Sequence, residues 1–225
     1  MLFPPRRPLL AAAAAAIVVC SSPVLSASAA SSAASADTVM LWDAVAALPS
    51  AGEYRDGYTR TSFRHWIDSD RDGCTTRQEV LIAEAVQPPQ VGAGCTMSGG
   101  VWHSYYDDVI VTDATRLDID HMVPLAEAWD SGAHAWAANQ REAYANDLDE
   151  PRALVAVTAR TNRSKSDQDP AEWLPPDQAA HCRYVADWLT VKLRWRLAAD
   201  AAEKDTLASL STACPNEPLT VPAMP

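Results

Sequence analysis

The sequence predicts an α+β fold: a mostly helical single domain that encloses one small strand–strand–helix unit and carries two disulfides. Three observations lead there. Stretches with apolar residues at helical spacing dominate the chain, the longest running from Gln178 to Leu197. Two short runs, Thr115–His121 and Ala153–Val157, read as strands, and a short helix over Thr158–Ser166 follows the second at once. Four cysteines, Cys74, Cys95, Cys182 and Cys214, remain once an N-terminal leader is set aside.

The leader spans residues 1–36. Arg6 and Arg7 precede an apolar run from Leu9 to Val19, and a Ser/Ala-rich stretch continues to Ala36. That is the order of a secretory signal, and the apolar run is too short for a membrane span. Cleavage is expected after Ala36, with Ala29 as the alternative. Cys20 follows the bulky Val19, which argues against lipid attachment. The remaining 189 residues suffice for one core: a domain over 37–214 and a Pro-rich tail, 215–225, expected to be loose. An even cysteine count in an exported chain implies two disulfides, and four cysteines permit three pairings. The local pairing, Cys74–Cys95 and Cys182–Cys214, is the expected one.

Along the chain, residues 37–50 and 58–67 read as helices, with Val39, Leu41, Trp42, Val45 and Leu48 as the stripe of the first. An aspartate-dense loop, Asp68 to Gly73, leads to a helix over Thr76–Val86 that Pro88-Pro89 closes. Ser98-Gly99-Gly100 marks a tight turn between two short strands. Asp108–Thr112 and Thr115–His121 are candidate partners in a hairpin. Leu125–Trp129 and Ala133–Asp147 are helical, split by Ser131-Gly132. After the strand at 153–157 and the helix at 158–166, Pro170–Pro176 is a rigid connector. The helix over Gln178–Leu197 and a last one over Ala199–Ala213, opened by Asp200, complete the chain.

Losing Arg6 and Arg7 with the leader moves the formal charge from −11 to −13. Such a chain is a poor general binder of nucleic acid, because that affinity comes from neutralising phosphates. The basic residues nevertheless cluster: Arg152, Arg160, Arg163 and Lys165 lie close in sequence. This favours weak, salt-sensitive contact over tight sequence-specific binding.

The chemistry concentrates in two runs, Leu117-Asp118-Ile119-Asp120-His121-Met122-Val123-Pro124 and Asn162-Arg163-Ser164-Lys165-Ser166-Asp167-Gln168-Asp169-Pro170. A carboxylate and an amide oxygen suit a hard divalent cation. An imidazole can deprotonate water, and an Arg/Lys pair can grip phosphate. If the strands at 117–121 and 153–157 pair antiparallel under the helix, Asp120 and His121 meet Asn162. Strand alternation should nonetheless send Asp120 and His121 to opposite faces unless the strand ends or bulges there. His65, His103, His134 and His181 lack ligand spacing and read as structural. The eight tryptophans read as core rather than as platforms for stacking on bases, with Trp173 and Trp102 the best exceptions.

These residues resemble the ββα-metal (HNH) endonucleases. The closer likeness is to secreted bacterial HNH-family proteins related to the C-terminal nuclease domain of modification-dependent restriction enzymes. It rests on Cys74–Arg77, on Asp120–Trp129 and on Asp169–Pro176, and covers residues 54–214. The resemblance implies a ββα-metal core at about 115–167 and a secreted endonuclease of little sequence specificity. Its substrate would be DNA, with RNA as an additional class. His121 would be the general base, Asp120 and Asn162 the ligands of one Mg²⁺ or Mn²⁺, and Arg163 and Lys165 the phosphate grips. The family's middle asparagine has no counterpart just before the second strand; Asn146 is the nearest candidate, for a structural role in tying the intervening loop.

A separate signal lies in Asp68-Ser69-Asp70-Arg71-Asp72-Gly73 with Glu79, which fits the calcium-loop spacing of acids around a turn glycine. The alternative is a disulfide-anchored loop whose acids face water. A rival from another class therefore stands beside the nuclease: a calcium-stabilised extracellular binding module with a nuclease-like fold and no catalysis.

Overall fold

The computed structural model describes Met1 and residues 36–225, so the expected leader, apart from its two end residues, lies outside the described residues. Thr38 and Val39 are β-branched and favour extended backbone. They sit in strand β1 (Asp37–Met40), and the helix expected over 37–50 shrinks to α1 (Leu41–Ala47). The partner of β1 is Pro218–Val221, paired antiparallel from Asp37↔Val221 to Met40↔Pro218. The tail expected to be loose is thus part of the fold: backbone pairing and the burial of Leu219 and Val221 hold it.

The helix expected over 58–67 is replaced by one 3₁₀ turn, Arg60–Ser62. Tertiary partners take the backbone groups a helix would have used. Arg141 Nε donates to the Ser62 carbonyl at 3.1 Å, Asn146 Nδ2 donates to the Arg64 carbonyl at 2.8 Å, and Asn146 Oδ1 accepts from the Ile67 amide at 3.2 Å. Phe63, fully buried, plugs this segment against Trp129 and Tyr144.

Helix α2 (Thr76–Ala83) opens with a capping box between Thr75 and Gln78. Strands β2 (Gln90–Val91) and β3 (Met97–Ser98) pair, as do β4 (Trp102–Ser104) and β5 (Val109–Val111). The turn at Ser98-Gly99-Gly100 therefore separates two strands that pair elsewhere. Gly100 has φ 92°, and a Cβ there would collide with the Trp102 ring. The hairpin expected between Asp108–Thr112 and Thr115–His121 is not made, because β5 turns back on β4.

Strand β6 (Leu117–His121) instead pairs antiparallel with β7 (Leu154–Thr158), from Leu117↔Thr158 to His121↔Leu154. Between them lie α3 (Leu125–Asp130) and α4 (Ala138–Ala145). Helix α5 (Ala159–Lys165) leaves β7 directly, with Thr158 at its N-cap. Helices α6 (His181–Trp195) and α7 (Ala201–Thr212) precede β8 (Pro218–Val221); Asp200 caps α7 by accepting from the Glu203 amide at 2.8 Å. The order is that of a mixed α+β chain in which helix outweighs strand.

Both disulfides follow the local pairing. Cys74–Cys95 has a Cα separation of 5.1 Å, and Cys182–Cys214, at 5.5 Å, ties α6 to the end of α7. Each contributes about 2–4 kcal/mol. Trp102, Trp188, Tyr106, Tyr184 and Phe63 are the largest fully buried side chains of the core. Trp102 is fully buried and donates its indole N–H to the Leu81 carbonyl, so it cannot stack on a base. Among the described residues no helix is long and apolar enough to cross a membrane.

Candidate active site

Leu117 and Ile119 face the core from β6, while Asp118 and Asp120 share its other face. Ladder pairing stops at His121, where the strand ends. That ending resolves the alternation problem, since Asp120, His121 and Asn162 all line one pocket of about 270 Å³. Arg60, Arg163 and Asp167 line it too.

His121 is largely buried between Trp66, at 5.2 Å between ring centroids, and Tyr144, stacked at 6.4 Å. Its Nε2 lies 3.0 Å from the Ala145 carbonyl. A carbonyl only accepts, so Nε2 carries the proton and Nδ1 keeps the lone pair. Burial pushes the imidazole pKa down to about 3; the Ala145 carbonyl opposes this, while the charges of Arg60, His65 and Lys165 add to it. The ordinary imidazole value near 6.5 therefore does not describe this ring, which stays neutral throughout the physiological range.

Lys165 departs from its expected role. It is fully buried, and its Nζ donates to Asp120 Oδ2 at 2.5 Å and to the carbonyls of His121 and Met122 at 2.9 and 2.8 Å. All three ammonium protons are used, so Lys165 cannot grip a phosphate. Tyr106 also donates to Asp120 Oδ2, at 2.6 Å. Burial pushes the Asp120 carboxyl up and the Lys165 ammonium down, each opposed by the other's charge. The two carbonyl acceptors add further support to the charged ammonium.

Asn162, on α5, directs Nδ2 to Asp118 Oδ2 in a long 3.4 Å hydrogen bond. With the nitrogen so engaged, the amide oxygen is the end left for a ligand. Arg163 is exposed and sits 3.4 Å from the same Asp118 oxygen. The donors thus fit a hard cation: Asp120 Oδ1 makes no hydrogen bond among the described residues, and the Asn162 oxygen is its neutral companion.

Sequence reasoning missed Tyr106, Arg60 and the place of Asp167 in the pocket lining. Their sequence neighbourhoods carry no signal. Asp169 serves a local turn, accepting from the Ala171 amide at 2.7 Å. Asn146 makes four hydrogen bonds, to the Arg64 and Glu142 carbonyls, the Ile67 amide and the Thr76 hydroxyl, and so ties the 64–67 segment to α4. Trp173 is half-buried against Tyr106 and Tyr184.

In the acidic loop, carboxylate oxygens of Asp68, Asp70 and Asp72 come within 4.8 Å of one another. The Gly73 amide donates to Asp68 at 3.1 Å. Glu79 reaches Asp72, and its pKa is raised by burial first and then by Asp72, Asp70 and Asp68. Cys74, beside them, is held in its disulfide.

The family model for the C-terminal domain of GmrSD restriction endonucleases matches residues 95–210. An uncharacterized secreted protein of the fungus Arthroderma benhamiae is 42% identical over 160 residues, which is 71% of this chain and 77% of that protein. The resemblance is therefore not confined to bacteria. No solved structure matches.

Proposed function

Because the chain belongs to the family of GmrSD restriction endonuclease C-terminal domains, we propose that it is a secreted, metal-dependent endonuclease. It hydrolyses phosphodiester bonds of DNA, and of RNA as a further class, with little sequence preference. One observation carries the reading: an imidazole with a free Nδ1, a carboxylate and an amide, drawn from separate stretches of chain, line a single pocket. In this reading β6, β7 and α5 are the ββα-metal (HNH) unit.

His121 Nδ1 takes the proton from the attacking water, and the Ala145 carbonyl holds the ring in the required tautomer. Asp120 and Asn162 would hold one Mg²⁺ or Mn²⁺. When bound, such a cation polarises the scissile phosphate and stabilises the leaving 3′ oxygen. Lys165 and Tyr106 fix the Asp120 carboxylate so that Oδ1 is its free oxygen. Asp118 holds the Asn162 amide in register. Arg163 offsets charge on the phosphate. The products carry 5′-phosphate and 3′-hydroxyl ends.

The acidic loop is proposed as a separate Ca²⁺ site formed by Asp68, Asp70, Asp72 and Glu79, supported by the convergence of these acids beside a disulfide.

A plasmid-nicking assay with Mg²⁺ or Mn²⁺ tests the main reading. Wild type should nick and His121→Ala should lose about 10²–10⁴ in rate. Equal nicking by both proteins would remove His121 as base. No nicking by either, with Ca²⁺ still bound, would favour the non-catalytic binding module.

A further inference from the structure

We propose that Arg60 is a substrate-binding residue of this pocket, its guanidinium gripping a backbone phosphate of DNA in the place Lys165 cannot fill. The inference rests on the phosphodiesterase reading of the pocket and adds to it a contact from outside the strand–strand–helix unit.

Four observations converge on Arg60. It lines the pocket with Asp120, His121 and Asn162. Its side chain is exposed and makes no hydrogen bond or ion pair among the described residues, whereas Lys165 is locked to three oxygens and Arg163 is shared with Asp118. Its charge is felt at the buried His121 ring.

The fourth observation is that the backbone beneath it is fixed. The Phe63 amide bonds to the Arg60 carbonyl at 3.2 Å, Phe63 is fully buried, Arg141 holds the Ser62 carbonyl, and Asn146 holds Arg64 and Ile67. With the backbone already fixed, binding orders only the side chain itself, and its planar fork matches two phosphate oxygens.

An exposed arginine is usually only solvated. Here the chain carries a formal charge of −11, so the polyanion needs local positive charge at the point of cleavage. Arg60 precedes residues 95–210, the part matched by the family model, so the N-terminal segment completes the site.

The test uses the full mature protein with His121→Ala to prevent cleavage, and a fluorescent DNA duplex followed by anisotropy from about 50 to 200 mM salt. Adding Arg60→Ala should weaken binding about tenfold at low salt and reduce the slope of log K against log salt by about one. Arg60→Lys should keep most of the slope, because the charge remains. A merely structural role would leave the slope unchanged.

Unchanged affinity and slope in Arg60→Ala, or no DNA binding at all, would overturn the proposal. Nicking by wild type together with an unchanged slope would refute Arg60 and leave the endonuclease reading standing. Arg60-dependent binding without nicking in Mg²⁺ or Mn²⁺ would do the reverse.

Discussion

Lys165 Nζ lies 2.5 Å from Asp120 Oδ2 in a part of the core where the lysine meets no solvent. The pair joins the last turn of α5 to the end of β6 and fixes the carboxylate that lines the pocket. Removing one partner of such a pair leaves a buried charge unmatched, which costs more than the pair contributes. Lys165→Met should destabilise the protein by about 3–5 kcal/mol in urea denaturation. Asp120→Asn in the same chain should restore part of that loss. A Lys165→Met protein within about 1 kcal/mol of wild type would show that the pair does not hold the site together.

In the proposed mechanism, burial of His121 sets the pH response of cleavage. With a pKa of about 3, the ring stays unprotonated well below the ordinary imidazole range. The acid limb of kcat/KM should therefore be absent between about pH 6 and 7 and appear only at lower pH. A pH–rate profile with an acid limb at about 6.5 would contradict a buried, neutral His121.

In the proposed site, Asp118 acts through Asn162, whose Nδ2 donates to it at 3.4 Å. Asp118→Ala removes the acceptor that orients the Asn162 amide, and should lower metal-dependent cleavage about 10–100-fold while raising the Mn²⁺ concentration needed for half-maximal rate. Asn162→Ala should show the same direction with a larger loss. If a Mn²⁺ titration of Asp118→Ala overlays wild type, the orienting role is refuted.

Glu84 gives the fold its own pH dependence. Its carboxylate accepts from the Ala156 amide at 2.7 Å, and burial raises its pKa from 4.5 to about 7. The folded state holds this proton more tightly than the unfolded chain does. Its contribution is therefore complete below about pH 4.5 and is lost as pH rises through about 7. Glu84→Gln keeps the acceptor and removes the titration. Over that window wild type should lose on the order of 3 kcal/mol relative to the variant. Parallel stability–pH curves would show that Glu84 is not protonated in the fold.

The acidic loop should respond to Ca²⁺ apart from the pocket that holds His121. At about 10 mM Ca²⁺, a site with the affinity of extracellular modules adds about 1.5–2.5 kcal/mol, readable as a rise in Tm. Asp72→Ala should abolish the rise and leave plasmid nicking in Mg²⁺ intact. Calorimetric titration of metal-free protein that gives no heat at millimolar Ca²⁺ would end the assignment.

Much of the site could be read before the fold was known. The strand–strand–helix order, Asn162 on the helix that follows the second strand, and the local cysteine pairing are short-range patterns set by pitch and loop length, whereas alternation alone would have parted Asp120 from His121. Lys165 shows the limit of that reading. One turn beyond Asn162 it belongs to the same helix face, yet spacing does not say whether that face meets solvent or the core. Asp120 and the carbonyls of His121 and Met122 decided it. Segment 58–67 failed as a helix for a related reason: Asn146 and Arg141, far along the chain, captured its backbone.

By itself, then, the sequence determined which strands and helix carry the candidate groups, because those features depend on neighbours in the chain. Only the tertiary structure decided which charges are buried, that the 218–221 tail pairs with 37–40, and that Arg60 reaches the pocket. Each of these depends on hydrogen-bond partners and desolvation supplied by residues distant in sequence, and no local pattern encodes them.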